Sequence, residues 1–178
     1  NGSPLWYTTD ENGKRTTTDS YNKADRVYCG SAAPKFTGGW MNSFSYKGFT
    51  LTANFDFVYG NLLYNQSREL LDSDGAYADY NSMKLKSGWK RWEKEGDIAT
   101  HPKAINGGNK NSNKSSSRYL EKGNYFSLRN LSLGYSIPEK LCGKLGLQQV
   151  NVSCSADNLF TLTPFSGVSP QLSDSSTD

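Results

Sequence analysis

From Phe36 to Tyr59 the chain alternates between apolar and polar residues with a period of two. In the first run the even positions read Phe36, Gly38, Trp40, Asn42, Phe44 and Tyr46, against Thr37, Gly39, Met41, Ser43 and Ser45. After Lys47-Gly48 the odd positions read Phe49, Leu51, Ala53, Phe55, Phe57 and Tyr59, against Thr50, Thr52, Asn54, Asp56 and Val58. Helical spacing fits neither run, so both are expected to be strands, joined by a tight turn in which Gly48 supplies a positive φ. Each covers about 11 residues, roughly twice the 5–6 of an ordinary soluble strand and close to the 9–11 that cross a bilayer at a tilt. Tyr46 and Phe49 flank the turn while Phe36 and Tyr59 stand at the far ends, as in the aromatic girdles of membrane barrels. A soluble sandwich also shows one apolar face, so alternation alone leaves both architectures open.

The pattern then breaks. Asn61 to Ser117 holds short apolar groups, a helix candidate near Tyr80–Trp92 and a low-complexity stretch from Asn106 to Ser117. A connection of this length is rare in a compact soluble domain and points to function or disorder. A tight turn followed by a very long connection matches the asymmetry of outer-membrane barrels, whose periplasmic turns are short and extracellular loops long. A third strand is expected over about Asn124–Ile137. There Leu131, Leu133, Tyr135 and Ile137 share a face while Phe126 and Leu128 point the other way, so the apolar face switches near Arg129–Asn130. Either a bulge or departure from the membrane would produce that switch. Pro138–Gly146 reads as one short helical turn. A fourth strand over about Gln149–Leu162 sets Val150, Val152, Cys154 and Ala156 against Asn151, Ser153, Ser155 and Asp157.

The expected fold is mainly β: antiparallel strands forming part of the wall of a large transmembrane β-barrel, with one very long loop. Taken as one segment, the chain divides into loop or linker at 1–35, hairpin at 36–60, and long extracellular loop at 61–117. Two strands joined by the helical turn follow at 118–163, and loop at 164–178, where Gln171–Asp178 is acidic and serine-rich.

Composition narrows the alternatives. Only 35% of the 178 residues are hydrophobic, yet 13% are aromatic, and the mean hydropathy is −0.71. Aromatic abundance argues against plain disorder, and no run approaches the roughly 18–20 apolar residues of a spanning helix. Twenty Lys+Arg against 17 Asp+Glu give +3, without the dense basic stripe that nucleic-acid binding requires. Cys29, Cys142 and Cys154 form no CxxC motif; one disulfide is possible, but three isolated thiols are the simpler expectation. The opening Asn1-Gly2-Ser3-Pro4 has neither a starting Met nor signal-peptide character, so the chain is expected to be a piece of something longer.

Pro34-Lys35, Gly38-Gly39 before Trp40, Asn42, and Tyr46-Lys47 before Phe49 together resemble a hairpin of the SusC/RagA-like TonB-dependent transporters of the Bacteroidetes outer membrane. Further matches follow in order: Arg91-Trp92 with Gly96-Asp97 and Pro102, then Gly123–Tyr125 with Leu128–Pro138. Asp157–Thr161 comes next, then Phe165–Gly167 with Pro170, so the resemblance covers roughly residues 24–170. It implies a region near the C-terminus of a much longer receptor, supplying some of the last strands of a barrel of about 22 strands. The plug, the TonB-interacting box and the closing strand of that family are not in this sequence. An open set of strands cannot satisfy its edges in lipid, so the segment is expected to work only as part of the whole. The implied function is nutrient import, of glycans or peptides, in the outer membrane of a Gram-negative bacterium. The implied partners are outer-membrane lipid, a SusD-like surface lipoprotein, TonB through parts absent here, and an oligosaccharide or peptide substrate; nucleic acid is not among them. The rival reading is a soluble β-sandwich carbohydrate-binding module.

Few residues carry candidate chemistry. His101 is the only histidine, so a His-based triad or His-rich metal site cannot be built, and it is expected to lie exposed in the loop. Asp72-Ser73-Asp74-Gly75 looks like the opening of a calcium loop, but its Gly comes too early and no Glu closes it. Glu93, Glu95 and Asp97 read as a solvated charged stretch. No catalytic, cofactor or metal residue is assigned, and no enzymatic activity is expected. Trp89 and Trp92 could stack on sugar rings or anchor the lid lipoprotein, or could pack the loop against itself. Asp56 is expected to face the barrel lumen, because a carboxylate in lipid is costly. Arg129 faces either the plug or the headgroups at the rim.

Overall fold

The computed structural model describes residues 1–77, 79–80, 82–144 and 146–171. In chain order the strands are β1 (Trp6–Thr9), β2 (Arg15–Thr18), β3 (Phe36–Tyr46), β4 (Phe49–Tyr59), β5 (Leu62–Tyr64), β6 (Leu120–Lys122), β7 (Tyr125–Ser136) and β8 (Asn151–Leu162). Helices α1 (Gln66–Leu71) and α2 (Glu139–Lys144) follow β5 and β7. These elements gather into two compact units, one of Asn1–Gly30 with Tyr64–Leu120, the other of Ser31–Leu63 with the chain from Glu121 onward. The stretch expected to be loop or linker at 1–35 divides between the two, residues 1–30 falling in the unit that holds most of the long loop. Of the tail at Gln171–Asp178, all but Gln171 lies outside the described residues.

The second unit is an open antiparallel sheet of four strands in the order β3-β4-β7-β8. Lys47 and Gly48 both take positive φ, 47° and 86°, the geometry of a hairpin turn whose twist matches that of its strands. It sets the register Tyr46↔Phe49 through Phe36↔Tyr59, so the rings of both strands fall on one face. Along β7 the register with β4 slips once: Phe55 faces Leu128 and Asn54 faces Asn130, leaving Arg129 without a cross-strand partner. This bulge explains the apparent switch of face. Phe57, Phe55, Ala53, Leu51 and Phe49 oppose Phe126, Leu128, Leu131, Leu133 and Tyr135, so both halves of β7 turn their apolar residues the same way. On β8, Asn158 (φ 51°) and Leu159 lie opposite the bulge. The face continues with Val152, Cys154, Ala156, Phe160 and Leu162.

Rings run in contact across this surface. Phe55 packs 5.8 Å from Trp40 and 5.4 Å from Phe126, and Phe49 packs 4.4 Å from Tyr135. The Phe57 ring lies over Gly38, where a Cβ would come within 2.6 Å of it. Yet nothing among the described residues covers the face: Trp40 is 61% exposed, Phe44 64% and Leu162 63%. The buried apolar residues among those described are Tyr119, Leu128 and Cys142. Cys29, Cys142 and Cys154 are free thiols.

In the first unit, β1 and β2 form a short hairpin inside the stretch expected to be linker. Its signal is turn chemistry in Asp10-Glu-Asn-Gly, where the Asp10 carboxylate accepts the N–H groups of Asn12 at 3.0 Å and Lys14 at 2.8 Å. The helix expected near Tyr80–Trp92 is absent among the described residues. The backbone there bonds sideways instead, with Trp92 N–H donating to the His101 carbonyl and Thr100 N–H to that of Lys90, both at 3.0 Å. Low-complexity residues are ordered too: the buried Asn109 amide donates to the carbonyls of Gly2 at 3.0 Å and Lys103 at 2.8 Å.

Candidate functional site

On the sheet, the face opposite the rings is polar and internally bonded. Asp56, central on β4, receives Arg129 Nε at 2.8 Å, Arg129 Nη2 at 3.0 Å and the Tyr125 hydroxyl at 3.1 Å. The third guanidinium nitrogen reaches Asn158 Oδ1 at 3.3 Å, and Asn130 donates to Asp157 at 2.7 Å. Gln171 donates to Ser127 Oγ at 2.6 Å on the same face. Asp56 and Arg129, both expected toward the lumen or plug but not as partners, thus form one ion pair at the bulge.

The first unit is organised around buried charge. Asn65 caps α1 by accepting the Arg68 N–H, and one turn on, Arg68 Nη2 meets Asp72 Oδ2 at 3.1 Å, the spacing that places i and i+4 on one helix face. The same carboxylate takes His101 Nε2 at 3.0 Å and Arg118 Nη2 at 3.2 Å, with Arg91 Nη2 at 3.7 Å from its other oxygen. Asp74 binds Arg91 at 2.6 Å and Arg118 at 2.5 Å. A carboxylate can only accept, so His101 carries its proton on Nε2, while Nδ1 meets Thr100 Oγ1 at 2.8 Å. Burial pushes the Asp72 carboxyl upward, but the His101 hydrogen bond and the charges around it prevail and hold it below its ordinary 3.8. Burial pulls the Arg118 guanidinium down, and the Asp74 carboxylate more than reverses this.

His101 is therefore buried, 4% exposed, rather than exposed in a loop; its bond to Asp72 offsets its desolvation. Asp72 and Asp74 face the guanidinium groups of Arg68, Arg91 and Arg118, which compete with any cation for the same carboxylates. Among the described residues no group of His, Cys, Asp and Glu is arranged to bind a metal. Asp97 is lowered first by the backbone N–H of Lys94, then by that of Glu93 and by Lys90, which makes it the cap of a turn. Trp89 lies between Arg68, 4.5 Å from its ring, and His101, 5.0 Å away. The Trp92 ring stands against Gly2.

Beside this knot the same unit holds a cleft of about 1460 Å³, bordered by Arg15, Arg26, Trp92, Asp97, Thr100 and Arg118. Trp92 stands out in the sequence as a candidate, but the arginines do not, because no local motif marks them; they converge only when the N-terminal segment packs with residues 92–118.

No protein-family profile matches the chain. It is 32% identical over 96% of its length to TonB-dependent receptor P3 of Formosa agariphila, and 31% identical over 83% to TonB-dependent receptor P39 of that organism. The chain spans 15% and 14% of the lengths of these relatives. Among solved structures, it superposes on a chain of the RagAB peptide transporter with a TM-score of 0.78 at 27% identity, covering 96% of this chain and 18% of that one.

Proposed function

This chain is a segment of a SusC/RagA-like TonB-dependent receptor, and from that premise we propose that it builds wall and extracellular loop for an outer-membrane importer of oligopeptides, toward the C-terminal end of the receptor. The observation that carries this reading is the apolar face of β3, β4, β7 and β8. It is continuous across the bulge and uncovered among the described residues. In a barrel that face meets lipid, and each ring moved from water contributes about 1.5–3 kcal/mol. The opposite face, with Asp56 and Arg129 paired on it, lines the lumen or touches the plug, where water and other polar groups compensate charge.

The tight turn at Lys47-Gly48 then lies at the periplasmic rim and the unit holding residues 64–120 outside the cell. Peptides come before glycans as substrates because the matched solved structure is a peptide transporter. RagAB also supports a SusD-like lipoprotein over the extracellular mouth, and the family supports energy supplied by TonB acting on parts outside this chain. The position of Trp92 at the border of the cleft supports a contact with substrate, and the contacts of Trp89 with Arg68 and His101 support a bracing role. A soluble sandwich would need a second sheet over the rings, and the described residues supply none.

The test uses the whole receptor. It is expected to leave membranes only in detergent, to migrate on gels as a heat-modifiable barrel, and to support TonB-dependent uptake of a labelled peptide. Release into buffer as a folded monomer overturns the reading.

A further inference from the structure

We propose that the cleft in the unit of Asn1–Gly30 and Tyr64–Leu120 binds the side-chain carboxylates of an acidic oligopeptide through Arg15 and Arg26. This rests on the importer reading and narrows its substrate class. The volume, about 1460 Å³, exceeds the roughly 300–1,000 Å³ of small-molecule pockets and leaves room for several peptide residues.

The charges bordering the cleft are unequal in what they have left to offer. Asp97 is satisfied by the N–H groups of Glu93 and Lys94, both at 3.0 Å, and by Lys90 at 3.1 Å. Asp25 accepts the Thr9 hydroxyl at 2.7 Å. Arg118 is committed to Asp74 and Asp72. Arg15 and Arg26 form no ion pair among the described residues, though both border the cleft. Asp97 is thus spent on its own turn and Asp25 holds the Thr9 hydroxyl at an exposed position, while two cations remain for a ligand.

Arg15 is also held in place, its guanidinium 3.7 Å from the centre of the Tyr7 ring. Stacking fixes the plane of the group while leaving its N–H edge free, the geometry that receives a carboxylate on two parallel hydrogen bonds. Ser112 adds a second sign: it borders the cleft, is 3% exposed, and its hydroxyl has no partner among the described residues.

The experiment uses the full receptor with its lipoprotein, purified in detergent. The probes are a fluorescent Ala-Glu-Glu-Ala-Glu peptide and its Gln counterpart, with an oligogalacturonate as competitor. The Glu peptide is expected to bind roughly 10-fold more tightly or better, about what one charge-assisted contact supplies. Arg15→Gln with Arg26→Gln should erase that preference while leaving the heat-modifiable mobility unchanged, the Gln peptide's affinity falling much less than the Glu peptide's. Arg26→Gln alone, at an exposed position, should remove part of the preference if the double variant does not assemble. Equal binding of both peptides, or a preference that survives both substitutions, overturns the carboxylate site. So does binding of the oligogalacturonate alone through these arginines, which assigns the cleft to an acidic glycan. Uptake of the Gln peptide separates the two claims: if it continues in cells, only the acidic specificity has failed; if no peptide enters and the receptor is not in the outer membrane, the importer reading has failed.

Discussion

Arg129 grips Asp56 with two nitrogens, at 2.8 and 3.0 Å, from the one position of β7 that both neighbouring strands leave out of register. The bulge and the ion pair are one device. A bulged residue is free to aim its side chain along the sheet, and here it crosses to the carboxylate of the next strand. The pair is partly exposed, its side chains 40% and 25% accessible, so its coupling is expected to be about 1 kcal/mol despite the two-point geometry. A double-mutant cycle of Asp56→Ala and Arg129→Ala, read by urea unfolding of the assembled receptor in detergent, measures it. Strict additivity would show that the bulge holds its shape without the pair.

Phe55→Asp tests the apolar face at its centre. The ring touches Trp40 and Phe126 on both neighbouring strands, so the substitution removes two ring contacts and places charge among side chains assigned to hydrocarbon. A charge at mid-membrane on a barrel strand costs about 2–4 kcal/mol for Lys or Arg and less for an acid, to which the lost packing adds. The variant is expected to lose heat-modifiable mobility and to disappear from the outer-membrane fraction. Unchanged assembly would place Phe55 away from lipid.

The sheet was legible in the sequence because period-two alternation acts locally: a strand with one face against an apolar phase must repeat every second residue. Even the bulge left a trace, the change of parity at Arg129. The other unit was not legible, for a physical reason. Its centre is polar, and Arg68, Asp72, Asp74, Arg91, His101 and Arg118 look like a solvated loop when read one after another. Only Arg68 and Asp72 stand at a spacing that local geometry interprets. The remaining pairs join residues 17 to 46 positions apart, where no periodicity reports contact. His101 was misplaced for the same reason: its partner lies 29 residues away.

The knot should fail in acid. Asp72 titrates below its ordinary 3.8 in the folded chain, so its charge contributes stability in full above that value and loses it as pH falls through the lower folded-state value. Hydrogen exchange over residues 66–119 of the whole receptor is expected to stay slow at neutral pH and to accelerate below 3.8. Asp72→Asn should abolish that acid step and weaken the region at neutral pH by about 3–5 kcal/mol, since it leaves buried guanidinium groups uncompensated. Exchange in the variant that matches the parent at both pH values would show that the ion pairs are not what orders the loop.

The two indoles should separate cleanly. Trp89 is wedged between the Arg68 guanidinium and the His101 ring, at 4.5 and 5.0 Å, so it bears on the knot; Trp92 borders the cleft and leans on Gly2. Truncating a buried Trp costs about 3–5 kcal/mol; Trp89 is only half-buried, so Trp89→Ala should lower local stability by roughly half as much. That loss would appear as faster exchange over residues 66–119, with peptide affinity falling only as far as the loop is disordered. Trp92→Ala should do the reverse, leaving exchange in the knot near that of the parent while weakening the labelled peptide several-fold. Both readouts are needed because an affinity loss alone does not distinguish a missing contact from a loosened scaffold. Should Trp92→Ala melt the knot and Trp89→Ala spare it, the roles are exchanged, and the indole that touches substrate is the one pressed against Arg68.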